Sequence, residues 1–431
     1  MTDITKEQFT NLLETSPTVY HFVFNAKRML LEKGFIELNE KQEWKDIPNK
    51  FFVIRDDRSL IAINKHNFST GTIVTTHIDS PCFRCKPNSW KVSENLEQVA
   101  VDRYGEFQYA TWLDHDLKIS GKVILHQDGQ IIEKLIDTGV IGSMAGSTPI
   151  YSQSRSGSPV IPMKYLDKYN PIVHIINSPY HEQQQNVSES TSESTQDAKQ
   201  SPTFIKVICK ECNCQPNEII NFDLYFTSAE KASFIGPQYI RSSRLNGMAS
   251  AIPSFYSFLQ TNSPFSGCSI FYAFDNEEVG SKSRSGSSSS FLTTVLTRAG
   301  APESFFRNVL IISSSVGNAN HIKGKLTPGN EFGPGLIYQV PSSPSTVYQA
   351  NPLLIAKKIA VKYKIKLTPI IDTNDPHESL ASNVANEFCS PSLDIGIPIL
   401  GMGSIRETAV WDNIVNMKMF IEKLITEYNN N

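Results

Sequence analysis

The 431-residue sequence lacks the features that mark membrane, secreted and nucleic-acid-binding proteins. Apolar residues never run for the roughly 18–20 positions that a membrane-spanning helix needs. The N-terminus has neither the basic start nor the apolar core of a signal peptide, so we expect a cytoplasmic protein. Lys+Arg 40 against Asp+Glu 43 gives a formal net charge of −3. This balance predicts neither a nucleic acid nor a membrane surface as a partner.

Cysteine is scarce, and its seven positions argue against a disulfide framework. An odd count without a secretory signal favours free thiols. Two Cys-x-x-Cys pairs, Cys82/Cys85 and Cys209/Cys212, leave a four-thiolate zinc site open as an alternative. We do not favour that alternative, because the pairs are far apart in the sequence and the first pair alternates like a strand.

The remaining composition, 40% apolar and 19% charged, suits a globular protein of two or three domains. Residues 1–90 predict the first part of an α/β domain, residues 91–230 a β-rich insertion, and residues 231–431 the second part. Within the insertion, residues 182–202 carry Val187 as their one large apolar side chain. Such a segment cannot bury enough surface to offset its ordering entropy, so we predict a disordered loop there.

Strands alternate with helices on both sides of the insertion, which predicts a largely parallel, doubly wound α/β sheet. Strand patterns occupy 71–75 and 270–274, and helix patterns occupy 249–259 and 415–428. The strand at 71–75 brings His77 to its carboxyl end, which is where α/β sheets place their chemistry.

Two adjacent carboxylates, Glu277 and Glu278, follow the buried strand pattern at 270–274 and form the most informative motif. Neighbouring side chains at a strand end point in different directions. One carboxylate can then bind a metal while the other acts as a general base towards water. Alone, such a pair is more often a charged loop, but the segment His77-Ile-Asp79-Ser-Pro offers matching metal-site chemistry.

That second segment, Thr76-His-Ile-Asp-Ser-Pro-Cys-Phe-Arg-Cys-Lys-Pro87, resembles the His-x-Asp-Ser-Pro block of the aspartyl aminopeptidase family, peptidase family M18. The resemblance continues in order along nearly the whole chain. Further matching blocks lie at 16–21, 111–117, 213–219, 275–281, 394–398 and 404–407.

The resemblance implies a zinc-exopeptidase-like α/β domain interrupted by a β-rich, dimerisation-type domain. It also implies removal of acidic N-terminal residues from peptides by two zinc ions, and self-association into dimers and further into dodecamers. By the same resemblance His77 and Glu278 are metal ligands, Asp79 orients His77, and Glu277 is the general base.

The resemblance fails at three further positions of the expected metal site. Asn246 stands where the family has an Asp that bridges both ions, Ser315 where it has a metal-binding Asp, and Gly403 where it has the last histidine ligand. Ala110 likewise replaces a histidine that reaches substrate across the dimer. An amide cannot screen the repulsion of two cations as a carboxylate does.

We therefore expect at most one zinc, held by His77 and Glu278 with Asn246 as a weak third ligand. His321 and His377 are alternative donors, but we favour ordinary loop histidines for both. The sequence predicts an M18 homologue with impaired or absent peptidase activity. An active aminopeptidase with a rearranged zinc site is the alternative. A non-hydrolytic peptide-binding or assembly subunit, partnering active paralogues, is the further alternative.

Overall fold

The computed structural model describes residues 3–93, 95–106, 108–144, 170–175, 200–261, 267–319, 331–339, 350–370 and 380–429. The chain divides into two units, the first made of Met1–Pro81 with Ala232–Asn431 and the second of Cys82–Lys231. The first division thus falls at 81/82 rather than at 90/91, because the strand that begins at Cys82 pairs within the second unit.

Helices cover the patterns predicted at 249–259 and 415–428 and seven further stretches of the described residues. Within the described residues they are α1 (Lys6–Glu14), α2 (Val19–Glu32), α3 (Pro202–Cys212), α4 (Leu245–Gln260), α5 (Phe291–Arg298), α6 (Glu303–Asn308), α7 (Ala350–Lys362), α8 (Leu380–Phe388) and α9 (Trp411–Asn429). Thr5 caps α1 through a reciprocal pair of hydrogen bonds with Gln8, which satisfies two backbone groups at the helix start.

The strands among the described residues belong to two separate sheets. They are β1 (Ile36–Glu37), β2 (Lys50–Arg55), β3 (Ser59–Lys65), β4 (Gly71–His77), β5 (Cys82–Ser93), β6 (Leu96–Tyr104), β7 (Asp116–Gln127), β8 (Gln130–Ser143), β9 (Ile172–Ile175), β10 (Ile219–Ser228), β11 (Ser233–Ile235), β12 (Tyr239–Ser242), β13 (Cys268–Phe274), β14 (Val309–Ala319), β15 (Leu336–Gln339), β16 (Leu367–Ile370), β17 (Ser392–Leu400) and β18 (Glu407–Val410).

The main sheet of the first unit has the order β1-β2-β3-β13-β4-β14-β17-β18-β12-β11, with β15 and β16 joined to β17. Its centre, β13-β4-β14-β17, is parallel and is bordered by two antiparallel pairs, β3 with β13 and β17 with β18, whereas β1 at the edge pairs parallel with β2. This confirms the predicted α/β class with a parallel core and a separate β-rich domain. Sequence patterns did not predict the antiparallel pairs, because strand direction depends on partners distant in the sequence.

Both faces of the parallel centre are covered, so every residue of β4 and β13 is buried. On one face Phe271 packs against Phe255 and Phe258 of α4. On the other face Tyr272 packs edge-on against Phe291 of α5. Strands covered on both sides are expected to read as continuous apolar runs, which explains the pattern at 270–274.

The second unit is a closed antiparallel barrel of the order β10-β5-β6-β9-β8-β7. Most of the loop predicted at 182–202 lies outside the described residues. Its described end is ordered, contrary to the prediction, because Ser201 caps α3 by accepting from the backbone N–H of Phe204 at 3.2 Å. The buried carboxylate of Glu97 accepts from the Thr203 backbone N–H at 3.0 Å and from the Thr203 hydroxyl at 2.8 Å.

The described helices include none that combines the length and the apolar character required to span a bilayer.

Candidate metal site

The candidate site lies where two parallel central strands end. Strand β13 pairs with β4 so that Phe274 is opposite His77. Residues that follow β13 therefore meet the end of β4, as carboxyl ends do in α/β sheets. Asn276 has a left-handed backbone, with φ 65°, and turns the chain into a short 3₁₀ helix, Glu277–Val279. Both carboxylates of the sequence motif lie on that helix.

The structure brings three of the predicted side chains together. The ligand atoms of His77, Glu277 and Glu278 all lie within 4.8 Å of one another. His77 Nδ1 lies 3.4 Å from Asp79 Oδ1 and 3.9 Å from Glu277 Oε2. Asp79 also accepts from the backbone N–H of Glu278 at 3.1 Å, which ties the two strand ends together. One imidazole and two carboxylates are a donor set that suits a divalent metal.

The imidazole of His77 is buried among these carboxylates. Burial alone would lower its pKa, but the charges of Glu277 and Asp79 outweigh it and raise the pKa to about 9. The side chain is therefore positively charged at neutral pH. Because a metal binds neutral imidazole, His77 must release a proton before it can coordinate.

Asn246 lies beside this cluster at the first turn of α4. Its side-chain Nδ2 donates to Glu278 Oε1 at 2.6 Å, and the residue is 8% exposed. The amide must present its NH₂ group, because two oxygens at that distance would repel each other. An aspartate at this position could not make the same bond when ionised. The side chain predicted to be a weak ligand therefore donates to one of the two candidate carboxylates.

The next residue, Gly247, lets the helix start pass close to the imidazole. It has φ +81°, and an added Cβ would lie 2.9 Å from His77 Cε1 and 2.9 Å from the backbone oxygen of Asp79. Only glycine fits such a contact without displacement. The entry to α4 is therefore built around the histidine ring.

Glu407 is a buried acid that holds the backbone around the site. Its two oxygens accept from the backbone N–H of Asn246 at 2.7 Å and of Gly403 at 2.8 Å. Burial raises its pKa to about 7, although these N–H donors oppose the shift. Sequence reasoning did not give it a role. Its partners are backbone N–H groups, which no pattern of side chains in the sequence predicts.

The other substituted positions add no metal donor comparable to those of the family. Ser315 lies half-buried on β14, with its Oγ 3.5 Å from the Val316 carbonyl oxygen. Gly403 is buried and has φ +77°, where a larger residue would be strained. The two alternative histidines, His321 and His377, lie outside the described residues. Ala110 lies in the 3₁₀ helix Tyr109–Trp112 of the second unit.

A second buried carboxylate, Asp275, lies directly before the motif. It forms an ion pair with Arg58, whose guanidinium also donates to the Tyr20 hydroxyl at 2.9 Å. Burial and the nearby charge of Asp79 raise the pKa of Asp275 to about 6, whereas Arg58 opposes that shift. The cluster therefore contains more acid than base, and Arg58 offsets part of the excess.

Zinc can be tested against these donors. His77, Glu277 and Glu278 fit one ion by number and chemistry, and no other group of three or more such donors occurs in the described part of the chain. A second ion does not fit, because the residue expected to bridge two ions is a hydrogen-bond donor to Glu278. The four-thiolate alternative at Cys82/Cys85 and Cys209/Cys212 gains no support from the described residues, which bring no such set of thiols together.

Comparison with known proteins indicates the same family as the sequence motifs. The family model of aminopeptidase I zinc metalloproteases (M18) matches residues 12–423. An aspartyl aminopeptidase of Caenorhabditis elegans is 28% identical over 457 aligned positions, covering 98% of this chain and 96% of the relative.

Solved structures share the fold. The cryo-EM structure of the Ape4 and Nbr1 complex superposes with a TM-score of 0.89 at 23% identity, covering 100% of this chain and 88% of that chain. The Saccharomyces cerevisiae mApe1 dodecamer superposes with a TM-score of 0.81 at 19% identity, covering 98% and 96%. The family match extends over most of the sequence and zinc is the metal it implies, so this chain belongs to the M18 family of aminopeptidases.

Proposed function

We propose that this chain is an aspartyl-aminopeptidase-like protein whose peptidase activity is impaired or absent. The observation that carries the proposal is the 2.6 Å hydrogen bond from Asn246 Nδ2 to Glu278 Oε1. In the family pattern this position supplies a carboxylate to both ions. Here it supplies a neutral donor to a carboxylate that would otherwise bind metal.

Charge explains why the exchange matters. Two dications held close together repel strongly, and a bridging carboxylate reduces that repulsion. Asn246 brings no negative charge, and Ser315 and Gly403 bring neither charge nor imidazole. The hydrogen bond from the Asn246 side-chain amide also gives Glu278 a partner when no ion is bound. The contacts around Glu278 therefore do not depend on zinc.

One zinc could still be held by His77, Glu277 and Glu278, where it would supply Lewis-acid polarisation. In that arrangement Glu277 is occupied as a ligand. It then cannot also accept a proton as the general base that the family mechanism needs.

Zinc content and turnover test this proposal together. Purified chain and the C. elegans relative are loaded with zinc, desalted, and assayed for bound metal and for release of acidic N-terminal residues. We expect at most one ion per chain and turnover at least a hundredfold below that of the relative. Two tightly bound ions with comparable turnover would refute the proposal.

An active aminopeptidase with a rearranged site is the second candidate, favoured by the convergence of His77, Glu277 and Glu278. It predicts measurable hydrolysis that Glu277→Gln abolishes. Glu43→Gln, on an exposed side chain, is the matched control and keeps full activity. Equal hydrolysis in both variants would remove this candidate.

Self-association belongs to the proposal as well. The S. cerevisiae mApe1 structure is that of a dodecamer. We expect this chain to form dimers, extending to dodecamers, and to act as a peptide-binding or assembly subunit, alone or with active paralogues. Sedimentation of purified chain, alone and mixed with an active M18 enzyme, measures both outcomes. The cytoplasmic location remains a prediction from the sequence.

A further inference from the structure

Three cysteines lie together at the carboxyl end of α3, in the second unit and outside the candidate metal site. Helix α3 ends at Cys212, and Asn213 follows with a left-handed backbone, φ 47° and ψ 60°. The backbone N–H of Cys214 donates to the Cys209 carbonyl oxygen at 3.0 Å, and that of Asn213 donates to the Lys210 carbonyl oxygen at 3.3 Å. These two bonds define a Schellman motif, in which the residues at the two ends of the longer bond characteristically contact each other.

In this chain both of those contact positions are cysteines. Standard bond lengths and a 3.0 Å N···O separation keep the α-carbons of Cys209 and Cys214 within about 7 Å, which is the reach of a disulfide. Both residues are partly exposed, whereas Cys212 is buried.

The turn is held from the barrel, which keeps the thiols in place. The Lys134 ammonium of β8 donates to the Cys212 carbonyl oxygen. Gln127 of β7 donates to Glu218 at 3.2 Å, and Glu218 accepts from the backbone N–H of Gln215 at 2.6 Å. Two thiols on a fixed backbone react with each other far more readily than two thiols on a mobile one.

We propose that Cys209 and Cys214 are a reversible dithiol–disulfide pair that closes across the end of α3. The oxidant is a low-molecular-weight disulfide such as oxidised glutathione. The Cys214 thiolate attacks one sulfur of that disulfide and displaces one thiolate, forming a mixed disulfide. The Cys209 thiolate then attacks the Cys214 sulfur and displaces the second thiolate. Two protons are released, and two electrons pass from the protein thiols to the reagent.

The order of attack follows from the surroundings of Cys209. Burial and the neighbouring Cys214 raise the pKa of the Cys209 thiol to about 12, so it is protonated at neutral pH and is assigned the second, intramolecular step. Burial and Cys214 also raise the pKa of Cys212 to about 11, and Cys212 is almost fully enclosed. The reaction is therefore expected to accelerate as the pH rises from 7 to 9.

The sequence allows the pairing to be read directly by peptide mapping. Trypsin cleaves after Lys206, Lys210 and Lys231, so Cys209 lies in the peptide 207–210 while Cys212 and Cys214 share the peptide 211–231. A disulfide from Cys209 to Cys214 joins the two peptides, and so does one from Cys209 to Cys212. Fragmentation of the joined species distinguishes them, because iodoacetamide labels whichever of Cys212 and Cys214 is not in the disulfide. A disulfide between Cys212 and Cys214 stays within one peptide and cannot join them.

The experiment incubates the full chain in glutathione buffers of graded redox potential, blocks free thiols with iodoacetamide, and digests with trypsin. We expect a cross-linked species of 207–210 with 211–231 that reduction reverses, that Cys212→Ser retains and that Cys209→Ser loses. If a variant fails to fold, the position of the iodoacetamide label in the joined wild-type species decides the result: a label on Cys212 supports the proposal and a label on Cys214 overturns it. An uncross-linked pair at every potential, while exposed Cys389 becomes glutathionylated, would overturn the proposal, and so would a disulfide confined to 211–231.

Discussion

Replacement of Asn246 by Asp tests whether the amide takes the place of a metal ion in holding the candidate site together. The substitution changes one atom and keeps the shape of the side chain. It converts the donor that lies 2.6 Å from Glu278 Oε1 into a carboxylate oxygen. Residue 246 is 8% exposed, so water cannot fully screen the new pair of charges.

The size of the effect follows from two competing outcomes. If both carboxylates stay ionised about 4 Å apart, their repulsion is about 4 kcal/mol at an effective dielectric constant of 20. The new aspartic acid can instead keep its proton and donate to Glu278. Holding it protonated against a reference pKa of about 3.9 costs about 4 kcal/mol at pH 7 and about 1.5 kcal/mol at pH 5. We therefore expect Asn246→Asp to lose about 4 kcal/mol of unfolding free energy at pH 7 and markedly less at pH 5.

Chemical denaturation in the presence of a chelator measures this loss, with hydrogen exchange in β4 and β13 as the probe of the first unit. Asn246→Ala is the control, since it removes the donor without adding charge and should cost about 1.5–3 kcal/mol at both pH values. Added zinc should recover stability in the Asp variant and do so less in the parent. An Asp variant as stable as the parent at pH 7 with chelator would refute the reasoning.

Three further predictions concern the same unit. Gly247→Ala should cost about 3 kcal/mol of unfolding free energy. The control is Gly34→Ala, which has a similar φ of +79° but no atom within 4 Å of the new Cβ and should cost about 1 kcal/mol. Equal losses in the two variants would contradict the close approach of Gly247 to the imidazole. The pKa of His77 is raised in the fold, so protonation of His77 stabilises the protein fully below about pH 6.5, and this stabilisation should be lost as the pH rises to 9. His77→Gln should therefore flatten the dependence of unfolding free energy on pH over that range. An unchanged slope in the variant would contradict this prediction. Arg58→Met leaves buried Asp275 without its ion-pair partner and should cost about 3 kcal/mol at pH 7 but less at pH 5, where the acid takes up a proton; a pH-independent loss would point to packing instead.

Much of the architecture of the first unit could be predicted because its signals are local. Apolar runs at 71–75 and 270–274 become the central strands β4 and β13, and polar residues directly after them lie at one sheet edge. The sequence patterns therefore place His77 and Glu277 each at the end of a strand, and the family resemblance implies that the two belong to one metal site.

Contacts that depend on how a loop or a helix start leaves the sheet were beyond prediction. The bond between Asn246 and Glu278 depends on how the first turn of α4 leaves the sheet, which a sequence pattern does not encode. Glu407 could not be identified for a related reason. An isolated Glu is expected at the surface, and only the two backbone N–H groups that it binds explain its burial.

The left-handed backbone at Gly403 limits how this chain could regain a two-ion metal site. A mutation to histidine there would first have to rearrange the loop, and the new side chain would still find an amide at 246 and a hydroxyl at 315. Each of these three substitutions, reversed alone, would restore one donor while the other two positions stayed without one. Regaining two ions would need coordinated changes at all three positions together with a new backbone path at residue 403.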